Sequence, residues 1–138
     1  MIKIRHYILA VIVFLVICYL SFFKPPSIGE VSIPHLDKVV HFCMYFGFSS
    51  ILWVDFFRSN EPHNYNNKRG WLIGGFLPIL LSGCIELLQE YCTSYRGGEW
   101  LDLLANSLGV LSASSLFYFV FSKKKWFRAI IHQLSRIV

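Results

Sequence analysis

The run DKVVHFCMYFGFSSILWVDFF, from Asp37 to Phe57, decides the fold class of this chain. It is apolar over most of its length, and its many aromatic residues suit lipid contact and anchoring at a membrane interface. An α-helix rises about 1.5 Å per residue, so a run of this length crosses a hydrocarbon core of roughly 30 Å. The run begins with polar residues, Asp37, Lys38 and His41, which ordinary lipid contact does not explain.

Three further apolar runs flank this one, and polar or Pro- and Gly-containing connections separate all four. The other runs extend from Tyr7 to Phe23, from Gly70 to Tyr91 and from Trp100 to Phe121. We therefore predict an all-α protein, a four-helix transmembrane bundle over residues 1–122. The basic tail, residues 123–138, has apolar residues at helical spacing and is predicted to form a C-terminal amphipathic interfacial helix.

The composition favours the same class. Of the 138 residues, 55% are hydrophobic and only 15% are charged. A soluble domain of this size needs a more polar surface than that share supplies, whereas a membrane bundle needs polar residues mainly in its loops. Small residues in the fourth run, among them Gly109 and Ala113, allow close contact with a neighbouring helix. The four cysteines have no CxxC spacing, so a disulfide framework is not expected.

The basic residues indicate topology and argue against nucleic-acid binding. The formal net charge is +5, but the bases lie at the ends of the apolar runs and do not form a stripe. Cytoplasmic loops of membrane proteins carry the excess of Lys and Arg. Under a four-span topology the N-terminus, the middle loop and the tail are the basic regions, so we expect both termini in the cytoplasm.

With this orientation, polar residues from three spans converge near the outer face. The second span begins with Asp37, Lys38, His41 and Tyr45, the third ends with Glu86, Gln89 and Glu90, and the fourth begins with Asp102 and Asn106. Steps of four residues place three groups each on one helix face: Asp37, His41 and Tyr45; Glu86 and Glu90; and Asp102 and Asn106. Ionisable groups inside a span are unfavourable unless they pair or face a wet cavity, so they form a functional-site hypothesis. Arg96 lies between the last two sets and can pair with their carboxylates.

Simpler interpretations exist for most of these residues. Asp37 can stabilise a helix start, His41 can be a satisfied interior histidine, and Asn106 can join two helices by hydrogen bonds. Glu90 lies near the loop, where a carboxylate is solvated. Glu86 is the hardest to dismiss, because it lies about one turn inside the membrane, where an unpaired carboxylate is costly.

The ordered set Asp37-Lys38-x-x-His41, then Glu86-x-x-Gln89 with Arg96, then Asp102-x-x-x-Asn106-x-x-Gly109 resembles the VanZ-like family of bacterial membrane proteins. The resemblance runs from about His35 to Val120. It implies a multi-pass protein of the bacterial cytoplasmic membrane, and it implies a link to teicoplanin-type glycopeptide resistance by analogy only. Glu99, beside Trp100, departs from the pattern and is expected to alter the orientation of Arg96.

The first functional hypothesis is a protein that binds or remodels a lipid head group, or a lipid-linked cell-envelope component, at the outer leaflet. Lys38 and Arg96 would meet phosphate, while Asp37, Glu86 and Asn106 orient these bases and accept hydroxyl donors. Tyr45 and Gln89 complete the expected ligand-binding set. Membrane lipids are the expected partners.

The second hypothesis is a membrane-embedded hydrolase or transferase acting on such a lipid, with His41 as general base and Glu86 or Asp102 as its acidic partner. A divalent cation bridging Asp37, His41, Glu86 and Asp102 is a variant of this hypothesis. No HExxH-like or CxxC signature supports a metal, so the sequence assigns no metal site and identifies no cofactor.

The third hypothesis is structural: the polar faces hold the bundle together, and the protein is a subunit of a membrane complex or a homo-oligomer. Small-residue faces on short spans favour such association. A transporter is less favoured, because the sequence has no internal repeat and the polar residues do not continue into the cytoplasmic half.

Overall fold

The structure, a computed structural model, describes residues 4–23, 36–60, 66–93, 99–124, 126, 127, 129–131 and 133. Every regular element within these residues is helical, which confirms the all-α prediction. A 3₁₀ turn, Ile4–Tyr7, leads into α1, Ile8–Phe22. The longer helices are α2, Leu36–Ser59; α3, Asn67–Cys92; and α4, Trp100–Phe121.

Three of these helices, α2, α3 and α4, are long and apolar enough to cross a membrane. This supports the membrane class. Helix α1 is apolar but has only 15 residues, so a fourth span stays a prediction. In the tail, Lys123 and Lys124 are not helical and the described residues between Trp126 and Gln133 are helical. The other residues of the predicted interfacial helix lie outside the described part of the chain.

The helices run alternately up and down. The Tyr7 hydroxyl lies 3.1 Å from Ser59 Oγ, so α1 begins where α2 ends. The Gln89 side-chain amide donates to the Ser21 carbonyl at 2.7 Å, so α1 ends where α3 ends. We name the end of the bundle that holds Asp37, Glu86 and Asp102 the polar end, and the opposite end the aromatic end.

Helices α2 and α4 make the most extensive helix contact in the described structure. Gly109 of α4 makes it possible, because a Cβ atom there would lie 2.4 Å from the Phe42 carbonyl oxygen and 3.0 Å from the Phe46 nitrogen. The small-residue face predicted for the fourth run is therefore used against α2. This close approach fixes the starts of both helices side by side.

The aromatic end is organised around Trp53 of α2. Its indole fits against Gly70 and Gly74 of α3, where added Cβ atoms would lie 2.8 Å and 2.3 Å from it. Phe56 and Phe117 pack on the same ring system, with ring centroids 5.9 Å and 6.5 Å from that of Trp53. This end is held by packing of buried aromatic rings.

Two buried serines bond to a backbone carbonyl that a proline in α3 leaves without its usual helical hydrogen bond. Pro78 has no N–H to donate to the Gly74 carbonyl four residues earlier, and a π-helical segment, Trp71–Phe76, precedes it. The Gly74 carbonyl instead accepts from Ser49 Oγ at 2.6 Å and from Ser114 Oγ at 3.1 Å. Membrane helices tolerate proline when neighbouring side chains satisfy the freed carbonyl in this way.

Candidate functional site

The polar end brings together two helix starts and one helix end. Asp37 lies in the first turn of α2 and Asp102 in the first turn of α4, where the helix dipole favours an acid. Glu86 lies in the last two turns of α3 and faces the same space. Although Asp102 and Glu86 are only 1% and 7% exposed, each has polar partners.

Lys38 is the cation at the mouth of this site. Its ammonium donates to the Asp102 carboxylate, to Glu99 at 2.5 Å and to Asp37 at 3.4 Å. The Lys38 side chain is 23% exposed, whereas Glu99 and Asp37 are more than half exposed. Lys38 thus compensates the buried Asp102 charge, which would otherwise be strongly destabilising.

His41 lies one turn deeper and is buried. Its Nδ1 is 3.1 Å from Asn106 Oδ1. Its Nε2 lies 3.7 Å from Asp37 Oδ1 and 3.6 Å from Asp102 Oδ2. The imidazole therefore bridges α2 and α4, with one nitrogen toward an amide and the other between two carboxylates.

Asn106 extends the network to α3. Its amide nitrogen donates to Ser82 Oγ at 2.8 Å and to Glu86 Oε1 at 3.4 Å. The other Glu86 oxygen accepts from the Glu99 backbone N–H at 3.3 Å. Hydrogen bonds and ion pairs thus run without a break from the exposed Asp37 to the fully buried Ser82.

The Asn106 contacts also assign the tautomer of His41. Because the Asn106 nitrogen donates to Ser82 and Glu86, its oxygen faces His41 as an acceptor. An amide oxygen cannot donate, so His41 Nδ1 carries the hydrogen. Nε2 is then the atom directed at the two aspartates.

Tyr45 and Gln89, two of the predicted site residues, lie in different surroundings. Tyr45 is buried a turn below His41, and its hydroxyl interacts with Ser82 and Glu86 without a hydrogen bond of good geometry in the described structure. Gln89 is also buried, but it caps the end of α1 through the Ser21 carbonyl. Gln89 therefore joins α1 to α3 and does not face Asp102 or His41 in any contact of the described residues.

Most of the predicted set comes together in space. The residues that converge are Asp37, Lys38, His41, Tyr45, Glu86, Asp102 and Asn106. The prediction for Arg96 falls outside the described residues. Sequence reasoning did not assign Ser82 or Glu99 to the site. Ser82 lies one helical step of four before Glu86, a spacing that could have found it, whereas the contact of Glu99 with Lys38 joins residues 61 positions apart.

A cleft of about 330 Å³ opens between α3 and α4 beside this network. Glu86 and Glu99 line its polar side, and Leu87, Trp100 and Leu103 line its apolar side. Leu87 and Trp100 are strongly exposed on the outer surface of the bundle. The cleft is therefore amphipathic and open toward the surroundings of the helices.

One group of residues at this site has the donor atoms of a metal site. Asp37, His41 and Asp102 each offer a ligand atom, and these atoms lie within 4.8 Å of one another. Glu86, which the sequence hypothesis included, contacts Asn106 and the Glu99 backbone and is not in this group.

Comparisons of the chain with protein-family models, with curated proteins and with solved structures found no match. The functional argument therefore rests on the geometry of the polar end.

Proposed function

We propose that the protein binds a membrane lipid or a lipid-linked cell-envelope component in the cleft between α3 and α4. The observation that carries this proposal is the amphipathic lining of the cleft, with Glu86 and Glu99 on one side and Leu87 and Leu103 on the other. A lipid has the same division between a polar head group and an apolar chain. Ligand sites of this kind are concave and mostly apolar, with a few convergent polar groups.

The charges of the described residues favour a head group that donates hydrogen bonds. Lys38 is held by three carboxylates, so it is not free to meet a phosphate as the sequence hypothesis expected. The carboxylates of Glu86 and Glu99 at the cleft accept hydrogen bonds from hydroxyl or amine groups. A sugar or amino-sugar head group has these donors, and the resemblance to the VanZ-like family favours an envelope precursor.

The proposal includes the number of membrane spans and their orientation. Four spans, with α1 as the first, would place both termini in the cytoplasm of a bacterial cell and the polar end at the outer leaflet. Basic residues at the ends of the apolar runs support this orientation. The short length of α1 is compatible with a span, because the preceding turn extends the helix and local thinning of the bilayer shortens the distance to be crossed.

An enzyme with His41 as general base is less favoured by this geometry. A general base needs a nitrogen within about 3 Å of the proton that it removes. Nδ1 of His41 faces Asn106, and Nε2 faces Asp37 and Asp102, so both ring nitrogens are directed at protein groups. The cleft meets the network at Glu86 and not at the imidazole.

Native mass spectrometry of protein extracted from nanodiscs of a bacterial total lipid extract tests the binding proposal. Gly83→Leu places a side chain in the cleft, where the nearest atom of the described residues to a Cβ atom is Leu103 Cδ1 at 4.0 Å. We expect wild type to retain a specific lipid and Gly83→Leu to lose it at least about tenfold, a change of about 1.4 kcal/mol.

The matched control is Gly47→Leu in α2, because a Cβ atom at Gly47 meets no atom of the described residues within 4 Å. This variant adds the same side chain to the bundle away from the cleft and should retain the lipid as wild type does. Equal lipid retention by Gly83→Leu and wild type, with both proteins folded, would contradict a site in this cleft.

A further inference from the structure

The two aspartates at the polar end divide their oxygens between two partners. Asp37 Oδ2 and Asp102 Oδ1 accept from the Lys38 ammonium. The other oxygens, Asp37 Oδ1 and Asp102 Oδ2, face His41 Nε2. Lys38 therefore contacts one oxygen of each aspartate, and His41 Nε2 faces the other oxygen of each.

The contact with Asn106 orients the His41 ring toward the two aspartates. Because Nδ1 faces the Asn106 oxygen, Nε2 is the ring nitrogen that can bind an ion together with the two carboxylate oxygens. Metal-binding histidines have this arrangement, with the distal N–H held by an outer partner and the other nitrogen facing the ion.

The distances from His41 Nε2 to the two aspartate oxygens are close to those between two ligands of a metal ion. Two ligands bound tetrahedrally to Zn²⁺ at about 2.1 Å lie about 3.4 Å apart. The Nε2–oxygen distances here are 3.6 Å and 3.7 Å, too long for good hydrogen bonds. All three ligand atoms are within 4.8 Å of one another, so small side-chain rotations would complete the set.

We propose that Asp37, His41 and Asp102 bind a divalent transition-metal ion, Zn²⁺ or Mn²⁺. One imidazole nitrogen and two carboxylate oxygens suit these metals. Access is from the exposed side, because the Asp37 side chain is 52% exposed while His41 and Asp102 are buried. Three protein ligands leave a coordination position open to an external oxygen ligand.

Lys38 competes with this ion for the same carboxylates but contacts their other oxygens. Its ammonium supplies one positive charge to three carboxylates, those of Asp37, Glu99 and Asp102. Removing this charge leaves the ligand atoms in place and strengthens the field at the metal site. The proposal does not depend on lipid binding, so it can be tested in lipid-free detergent micelles.

Electron paramagnetic resonance of the purified full chain, freed of metal with a chelator and titrated with Mn²⁺, tests the site. We expect one Mn²⁺ per chain with a ¹⁴N coupling from an imidazole. His41→Ala should abolish the coupling. Asp102→Asn and Asp37→Asn should each weaken Mn²⁺ binding at least about tenfold, and Lys38→Met should strengthen it.

Asp55→Asn is the matched control, because it changes an aspartate of the same helix at the aromatic end and should leave Mn²⁺ binding unchanged. Asp37 is half-exposed, so Asp37→Asn is the substitution least expected to disturb folding. Circular dichroism identifies any variant that does not fold. Mn²⁺ bound by wild type without ¹⁴N coupling, or bound equally by folded Asp37→Asn, would overturn the proposal.

Discussion

Helix α2 carries a buried or half-buried acidic group at each end, and the two ends differ in what surrounds the charge. At the polar end, Asp37 and His41 belong to a network that also joins α3 and α4. At the aromatic end, Asp55 is fully buried, and Arg58 Nη1 lies 3.6 Å from its Oδ1 on the same helix. Neither Asp55 oxygen has a hydrogen bond of good geometry within the described residues.

This difference shows that a buried acidic group does not by itself form a ligand site. Asp37 is linked through His41 to Asp102 and Asn106 of α4, and from there to α3, whereas Asp55 pairs with Arg58 of its own helix and interacts with the Ala10 backbone of α1. Convergent groups from several helices can surround a ligand, whereas a pair three residues apart on one helix cannot. We therefore place the functional site at the polar end and expect the aromatic end to contribute stability through packing.

The largest expected effect comes from the contact that aligns α2 with α4. Gly109→Ala should lower the free energy of unfolding by about 3 kcal/mol, since the new methyl group meets the Phe42 backbone and not a flexible side chain. Reversible unfolding in mixed micelles measures this. Lipid and metal binding should fall with it, because the helix starts that carry Asp37 and Asp102 move apart.

Gly47→Ala is the control for this substitution. Gly47 lies on α2, and a Cβ atom there meets no other atom of the described part of the chain within 4 Å. The substitution should be neutral or slightly stabilising, because alanine favours helix. If Gly109→Ala is as stable as Gly47→Ala, the close approach of α2 and α4 does not hold the polar end together.

A smaller effect is expected at the aromatic end. Ser114 donates to the Gly74 carbonyl and accepts from the Trp53 indole at 3.0 Å. Ser114→Ala leaves the buried indole N–H without this acceptor and should lower the free energy of unfolding by about 2 kcal/mol. Lipid and metal binding at the polar end should be unchanged in the folded protein.

Ser50→Ala is the matched serine substitution, because among the residues that the structure describes Ser50 bonds only to the Phe46 carbonyl of its own helix. It should change the free energy of unfolding by less than about 0.5 kcal/mol. A Ser114→Ala variant that keeps its stability but loses the lipid would reverse the roles given to the two ends.

Control substitutions aside, the smallest effect is expected for Asp55→Asn, and it is a gain in stability. A fully buried carboxylate whose nearest base lies 3.6 Å away is poorly compensated, and the amide removes its charge. Arg58, in the last turn of α2, retains a favourable interaction with the helix end. Mixed-micelle unfolding should show a gain of about 1 kcal/mol. A loss of that size, or loss of lipid or Mn²⁺, would make Asp55 part of the functional machinery.

Much of the helical framework follows from the sequence. The fourth run was predicted from Trp100 to Phe121, and α4 has these bounds. The third was predicted to start at Gly70, but α3 starts at Asn67, because the Asn66 side chain accepts from the Lys68 and Arg69 backbone N–H groups and adds a first turn. Long apolar runs determine helices locally, whereas a cap can extend one by a few residues beyond the run.

The sequence by itself also determined which polar residues lie at the same depth in the membrane. Helical spacing and the distance of a residue from its helix end can both be counted along the chain. Only the tertiary structure decided their partners. Lys38 is held by Glu99 and Asp102, Gln89 binds Ser21, and the Gly74 carbonyl accepts from two serines. These pairings depend on how each helix is rotated and how closely it approaches its neighbours. Steric contacts such as Gly109 against Phe42 set that rotation, and they join residues far apart in the chain.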